Sequence, residues 1–504
     1  MNDPDEEVSD PALKAEPRPS GYAIRRWSRG EWFFWIGHLL FFGGALLLQV
    51  VFFHEQRLDD AYISFRYGQN LATGHGFVFN VGERIMGSTS PGQCLLSAIV
   101  YLIAGRDAVP SIMAAIGCAS WTAIAIATRL HLHHALGSAG ALIVAGALLL
   151  DAARNSTCVA METNTVIALN LWAIWCAQQG RWRVAALLSG LACVFRPDAA
   201  IVALLLASVC VWKLRRPAWA PCLVFAGVVL PWLTFAFAYF GTVIPQSAVT
   251  KFHVASLEEY ARNVLESVPR AIAPFDPMIV GADPLTEAHQ AASVLMMAWL
   301  VVAVGMAILW TRDRRTWILI AYALLHFGAY LYLRPFVYHT WHIRPAITLC
   351  TIAVVAVLAA GIRLPFSQVV RGAAVVGVAL LLLGYAIRLS VTPQARRASY
   401  WSGRHAAYVR TAEYLRPRVL PTEIVASTEV GTIAYYSNLP MFDKGLLVSD
   451  RQRLTAEQAS RTTWLVHTLL DRGRYTSPPV HMIRERRFEV AIYRVRFQIS
   501  GVPD

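Results

Sequence analysis

Long apolar runs recur along most of the chain and end near residue 390. A hydrocarbon core of about 30 Å requires roughly 20 apolar residues in a helix. A shorter run at 92–104 follows Pro91, so we predict that it does not cross the membrane. The other runs predict about eleven spans, within a range of ten to thirteen, at 31–53, 108–128, 137–153, 162–178, 184–197, 198–213, 218–240, 291–310, 316–333, 345–362 and 371–390.

The two ends of the chain have a different pattern. Residues 1–30 are acidic at first, contain proline and lack the apolar core of a signal peptide, which indicates a disordered cytosolic tail. From residue 391, charged residues mix with segments such as 423–427 and 487–497, in which apolar and polar positions nearly alternate. The pattern predicts an all-α polytopic membrane bundle at 31–390 and a C-terminal soluble α/β domain at 391–504.

The basic residues indicate which side of the membrane each loop faces. Cytosolic loops carry an excess of Lys and Arg. This places the N-terminus in the cytosol, and the outer loops 54–107 and 241–290 and the C-terminal domain on the periplasmic side. The basic clusters lie in alternate short loops, at 25–29, 129, 181–183, 213–216, 312–315 and 363–371.

Composition supports the same class of protein. The chain of 504 residues is 56% hydrophobic and 15% charged, whereas soluble domains are about 25% charged. These values exclude a cytosolic enzyme, a disordered protein and a fibrous protein. The eight cysteines lie in or beside apolar segments without metal-ligand spacing, and the chain has neither a Walker loop nor a dinucleotide fingerprint.

The first outer loop contains two adjacent carboxylates, Asp59 and Asp60, before a predicted amphipathic helix at 61–72. We expect this helix to lie along the membrane surface. An acidic residue at this position can simply be an N-cap. One residue is enough for a cap, however, and a carboxylate near the lipid interface is suited to taking a proton from an acceptor hydroxyl.

Eight segments resemble one family of enzymes. They are DDAYISFRY (59–67), GHGFVFN (74–80), GER (82–84), STSP (88–91), METN (161–164), FRPDA (195–199), YFGTVIPQSAVTK (239–251) and STEVGTIAYYSNLPMFDKGL (427–446). In this order they resemble GT-C polyprenyl-phosphate-sugar glycosyltransferases, most closely the arabinofuranosyltransferases of the mycobacterial cell wall. The resemblance implies a multi-pass enzyme of the bacterial inner membrane. It also implies that an acidic residue of the first loop is the catalytic base, Asp59 in preference to Asp60.

A departing phosphate requires nearby positive charge. Lys251 in the second outer loop, and His342 and Arg344 at the start of a predicted span, are candidates to bind it. The alternatives are a snorkelling lysine and an ordinary aromatic membrane interface.

Further candidates for substrate binding are Tyr62, Arg66, Glu162, Arg196 and Glu429. Arg196 can instead pair with Asp198 or Glu162 and stabilise a helical hairpin. Glu429 lies in the tail segment that resembles the family, where a structural role at a strand end is the alternative. No metal ligands are predicted, although a divalent cation is compatible with this chemistry.

These observations favour a glycosyltransferase that moves a sugar from a polyprenyl-phosphate donor to a hydroxyl of a glycan, lipid or protein of the cell envelope. Arabinofuranose is the sugar that the resemblance implies, and mannose, another pentose or an aminosugar stay open. The alternative function is a flippase or exporter of a lipid-linked saccharide. No nucleic-acid motif is present.

Overall fold

A computed structural model describes residues 58–154, 160–214, 219–251, 313–333, 393–445, 448–449, 461–468, 478–485 and 488–495, with isolated residues between 36 and 43 and between 305 and 352. The predicted cytosolic tail and the predicted spans at 31–53, 291–310, 345–362 and 371–390 lie essentially outside these ranges, as does the second outer loop beyond residue 251.

The N-terminal part of the described chain is helical. Its helices are Asp59–Ala72 (α1), Pro91–Ala104 (α2), Val109–Arg154 (α3), Thr163–Gln178 (α4), Trp182–Phe195 (α5), Ala200–Leu214 (α6), Trp219–Phe240 (α7), Gln246–Lys251 (α8) and Trp317–Leu333 (α9). Short 3₁₀ turns at Arg106–Ala108, Pro197–Ala199 and Arg314–Thr316 precede α3, α6 and α9.

Helices α3 to α7 and α9 form a bundle. Its core contains Trp121, Leu171, Ile174 and Tyr322, which are almost completely buried. Helices α5 and α7 approach closely where Gly190 faces Val228, with the position of a Cβ on Gly190 only 3.0 Å from the Val228 side chain. Small residues allow this approach, which is how helices associate in membranes.

Helices are present at several of the predicted spans, and the predicted number of spans stays a prediction. Helices α4, α5, α6, α7 and α9 lie within a few residues of predicted spans. Within the described part of the chain, two helical segments are long and apolar enough to cross a membrane, Arg106–Leu136 and Trp219–Phe240. The second of these exposes large apolar side chains such as Leu223, Leu230 and Phe237, as expected of a helix that faces lipid.

One predicted loop is wrong. The basic residues near Arg129 suggested a cytosolic turn between spans 108–128 and 137–153, yet α3 is one continuous helix of 46 residues, roughly 69 Å long. Residues 129–136 contain neither Gly nor Pro to end the helix. The polar ring of His131 is accommodated by Gln178, at 3.1 Å, and by the Leu171 carbonyl, at 3.0 Å.

Helix α1 also differs from its prediction. It begins at Asp59 and has buried residues on every side, so other protein segments enclose it and it has no polar side that faces water. It packs between α2 and the C-terminal part of the chain. The polar positions that suggested a solvent-facing side, such as Arg66, Gln69 and Asn70, contact protein instead.

The described C-terminal residues form a small α/β unit. It contains helix Pro393–Leu415 (α10), strand Ile424–Ser427 (β1), helix Gly431–Ser437 (α11) and strands Met441–Asp443 (β2), Thr462–Thr468 (β3), His481–Glu485 (β4) and Phe488–Arg494 (β5). The strand order is β2-β1-β3-β5-β4. The first three strands are parallel, and β5 pairs antiparallel with β3 and β4.

A single apolar cluster joins the first outer loop to this unit. Tyr67, Phe77 and Phe79 of the loop pack with Val425 and Ile433 of the sheet and α11. The C-terminal unit is therefore packed directly on the first loop.

Gly68 provides a test of the packing between α1 and α2. A Cβ at this position would lie 2.1 Å from Ser97 Oγ and 2.8 Å from the Cys94 carbonyl oxygen. We expect Gly68→Ala to lower the free energy of unfolding by about 1–3 kcal/mol, because overpacking displaces α2. The measurement is thermal unfolding of the purified protein in detergent. The control is Gly328→Ala in α9, where a Cβ has open space. Equal stability of the two variants would contradict the close contact between α1 and α2.

Candidate active site

Asp59 lies at the first position of α1 and is 2% exposed. Its Oδ2 accepts a hydrogen bond from the backbone N–H of Gly431, and its Oδ1 accepts one from Thr432, both at 2.7 Å. Burial raises the pKa of Asp59, while the positive charge of Arg404 and the two N–H donors lower it. The carboxylate that the resemblance favours as the base is thus covered by α11.

Asp60 follows immediately and is only partly buried. Within the described residues, no donor forms a hydrogen bond with its carboxylate. Its charge acts on both Arg404 and Glu429, so it lies near that pair. Asp60 is therefore the more exposed member of the acidic pair.

Arg404 of α10 and Glu429, which follows β1, form an ion pair with an Nη2–Oε2 distance of 2.6 Å. Both side chains are largely buried. Burial raises the pKa of Glu429 to about 8; Arg404 lowers it, and Asp59 and Asp60 raise it. Arg404 interacts electrostatically with all three of these carboxyl groups, so one guanidinium is shared among three acidic groups.

Aromatic rings surround this acidic group. The ring of Tyr62 is fully buried and lies 5.3 Å from His405 in a stacked arrangement, centroid to centroid. It also contacts Tyr435 and Tyr436. Tyr62 was predicted to bind substrate. Its ring is enclosed by these aromatic side chains, which favours a packing role.

Arg66 lies at the other end of the contact between α1 and α11. Its Nη1 donates to Asn438 Oδ1 at 2.6 Å and to Gln69 at 3.2 Å, and its Nη2 donates to the Asn438 carbonyl at 3.3 Å. Its Nε donates to the Phe79 carbonyl. The guanidinium is engaged within the protein, which favours a structural role over substrate binding.

Arg196 and Glu162 belong to a separate cluster in the bundle. Arg196 forms a two-point contact with Asp198, at 2.7 and 3.1 Å, and lies 3.6 Å from Glu162. Its Nη2 also donates to Tyr330 Oη at 2.9 Å. The pairing considered from the sequence is therefore present, and two carboxylates already surround the one guanidinium.

The predicted phosphate-binding residues are only partly covered by the structure. Lys251 is the last residue of α8. The Gln246 N–H at the start of α8 donates to the Met86 carbonyl at 2.7 Å, which ties this helix to the first outer loop. His342 and Arg344 lie outside the described residues, so their roles stay predictions.

Sequence reasoning missed Arg404 and His405. They lie in a polar helix whose pattern indicates only a solvated domain, and no local motif marks them. Gly431 and Asn438 lay inside the segment that resembles the family, but their contacts with α1 could not be read from it. Among the described residues, no group of three or more His, Cys, Asp or Glu side chains is placed to bind a metal ion.

Comparison with solved structures shows the fold. No protein-family model matches the sequence, and no curated protein matches it. The crystal structure of ArnT from Cupriavidus metallidurans bound to undecaprenyl phosphate is similar over 92% of this chain and 98% of that one, with 15% identity and a TM-score of 0.52. The oligosaccharyltransferase AglB from Archaeoglobus fulgidus, in complex with an inhibitory peptide and a dolichol-phosphate, is similar over 86% of this chain and 70% of that one, with 11% identity and a TM-score of 0.50.

The chain shares the fold of these two proteins, a largely helical part followed by a small C-terminal sheet. The fold and the apolar helices support a membrane protein. The arabinofuranosyltransferase subtype stays a prediction.

The raised pKa of Glu429 has a consequence for stability. Between about pH 5 and pH 8 the Glu429 carboxyl group keeps its proton in the folded protein but has released it in the unfolded protein. Its contribution to the free energy of unfolding therefore falls progressively as pH rises over this range and is lost above about pH 8. We expect the unfolding temperature of Glu429→Gln, measured from pH 5 to pH 8, to decrease less than that of the unmodified protein, because the amide does not titrate. The matched control is Glu413→Gln, at an exposed position of α10. A Glu429→Gln profile parallel to that of the unmodified protein would contradict the expectation.

Proposed function

We propose that this protein is a membrane glycosyltransferase that moves a sugar from a polyprenyl-phosphate donor to an acceptor hydroxyl at the periplasmic face. The observation that carries the proposal is the partly exposed Asp60 carboxylate, which lies beside the buried Arg404–Glu429 pair in a chain with the GT-C fold. The two GT-C structures contain undecaprenyl phosphate and a dolichol-phosphate. These lipids support the same class of donor here.

The proposed base is Asp60. The acceptor oxygen attacks the anomeric carbon, the bond from this carbon to the phosphate oxygen breaks, and the phosphate departs with the electron pair. The proton of the acceptor hydroxyl moves to the Asp60 carboxylate. A positioned base of this kind contributes typically 10²–10⁴-fold to the rate.

The departing phosphate requires cations, and we propose Lys251 together with His342 and Arg344 for this role. The contact between α8 and the first loop supports Lys251, because it holds the start of that helix next to the loop that carries Asp60. Arg196 is a weaker candidate, since Asp198 and Glu162 already balance its charge.

An exposed apolar face of α7 supports a lipid-linked donor. It is formed by side chains between Leu223 and Phe235, near Pro231. The C-terminal end of α7 contacts the first loop through Trp232 and Phe240, which pack on Phe77. A prenyl chain that packs along this face of α7 would therefore extend toward the loop that holds Asp60.

Arabinofuranose is the sugar that we propose first, on the basis of the sequence resemblance, and a glycan, lipid or protein hydroxyl of the cell envelope is the acceptor. The first experiment incubates the purified protein in detergent with labelled polyprenyl-phosphate arabinose, or the equivalent mannose, pentose and aminosugar donors, and short envelope glycans. Transfer of label and release of polyprenyl phosphate support the proposal. Movement of intact donor across vesicles without its consumption would instead indicate the flippase or exporter.

We expect Asp60→Asn to lower transfer by about 10²–10⁴-fold with little change in unfolding temperature, because the amide cannot accept the proton. The matched control is Asp107→Asn, which removes the same charge from an exposed residue that pairs only with Arg106 in the described structure. Full transfer activity in the Asp60→Asn protein would rule out the proposed base.

A further inference from the structure

Helix α11 is held at both ends by one face of α1. Asp59, Tyr62 and Arg66 are spaced i, i+3 and i+7, so they share a face of α1. Asp59 contacts the first residues of α11, Tyr62 contacts rings in its middle, and Arg66 contacts Asn438 at its end. The separation between Asp59 and Arg66 along α1, about 10 Å, equals the length of the seven-residue α11.

The charges at the two ends match the dipole of α11. The first N–H groups of a helix lack partners within the helix, and an anion near them is stabilising. Asp59 supplies this anion and uses both oxygens to bind Gly431 and Thr432. At the opposite end the Arg66 cation donates to the carbonyl of Asn438, the C-cap residue of α11.

Two residues of the tail segment are suited to this contact. A Cβ at Gly431 would lie 2.1 Å from the Asp59 carbonyl oxygen, and backbone at that distance cannot be displaced cheaply. Asn438 has a left-handed φ of 61°, which allows its side chain and its carbonyl to meet the same guanidinium. Asn is among the few residues other than Gly that adopt this conformation readily.

The contact between α1 and α11 also determines the position of the Arg404–Glu429 pair. Glu429 is two residues before α11, and its partner Arg404 is on α10, which packs against α11. Two further hydrogen bonds, between the Asn80 side-chain amide and the backbone of Met441, position β2, the strand that follows α11. The position of Glu429 relative to Asp60 thus depends on how α11 is seated on α1.

We propose that Asp59 and Arg66 are positioning residues that clamp α11 at its two ends, hold the Arg404–Glu429 pair beside Asp60 and take no proton from the acceptor. This inference rests on the proposed function for its catalytic consequence. The clamp itself is a structural arrangement that can be measured without activity.

The test uses the full-length protein in nanodiscs and combines hydrogen–deuterium exchange with transfer kinetics. Asp59→Ala should accelerate exchange at the Gly431 and Thr432 amides and lower kcat by about 10²-fold, because small misplacements of catalytic groups have effects of this size. The KM for the lipid donor should change little. Asp59→Asn keeps one acceptor oxygen, so it should restore part of both the protection and kcat.

Gly431→Ala separates the clamp from acid–base chemistry, because it alters no titratable group. It should reproduce the faster exchange and the lower kcat of Asp59→Ala, whereas Gly328→Ala should match the unmodified protein. If Gly431→Ala fails to fold, Asn438→Gly serves instead. It permits the same left-handed backbone but removes the oxygen that Arg66 and Gln69 bind. It should accelerate exchange at the amides of residues 438, 439 and 441 and lower kcat.

The outcomes separate the two proposals. The clamp is overturned if Asp59→Asn is as inactive as Asp59→Ala while Gly431→Ala, or Asn438→Gly in its place, keeps full protection and activity, since Asp59 would then act as the base. If the unmodified protein transfers none of the sugars offered, the proposed function fails. The exchange data then still support or overturn the clamp.

Discussion

The buried contact between the Asp59 carboxylate and the amino end of α11 is the constraint on which the arrangement of the site depends. It joins residues 372 positions apart in the chain. Burying either group without the other would cost free energy, because a buried carboxylate needs donors and a buried helix end needs acceptors. Each satisfies the other, so the first outer loop and the C-terminal unit become one structure. The apolar cluster of Tyr67, Phe79 and Ile433 stabilises the same interface. Apolar burial is not directional, so it does not fix the orientation of α11 as the hydrogen bonds do.

The two charged clusters differ in what they leave available for chemistry. In the bundle, Arg196 is enclosed by Asp198, Glu162 and Tyr330, an arrangement that satisfies a buried cation and fastens the helices together. Near α1, Asp59, Asp60 and Glu429 all interact with Arg404, and Asp60 is partly exposed. The second cluster therefore combines several interacting acidic groups, one of which has a raised pKa, with a carboxylate that is partly exposed, as expected of a site for proton transfer.

Hydrophobic periodicity correctly predicted those helices and strands whose apolar residues are buried or face lipid and whose polar residues face water. Helices α4 to α7 lie close to the predicted spans, and β1 and β5 lie within the predicted alternating segments. The two errors have one cause. His131 in the basic stretch at 129–136 and the polar side of α1 were interpreted as facing water, but other protein segments supply their hydrogen-bond partners. His133 and His134 of that stretch are exposed, although the helix continues through them. Polarity in a sequence indicates that a residue needs a partner, and it does not indicate whether the partner is water or protein.

The sequence by itself determined that the chain is a largely helical membrane protein with a small α/β unit at its C-terminal end, because burial of apolar runs depends on local pattern and length. It also indicated that the Asp59–Asp60 pair carries chemistry. Only the tertiary structure separated the two aspartates, since burial and access are set by α11, far away in the chain. The same holds for Arg404, whose partners Glu429, Asp59 and Asp60 come together only when the C-terminal unit packs on the first loop.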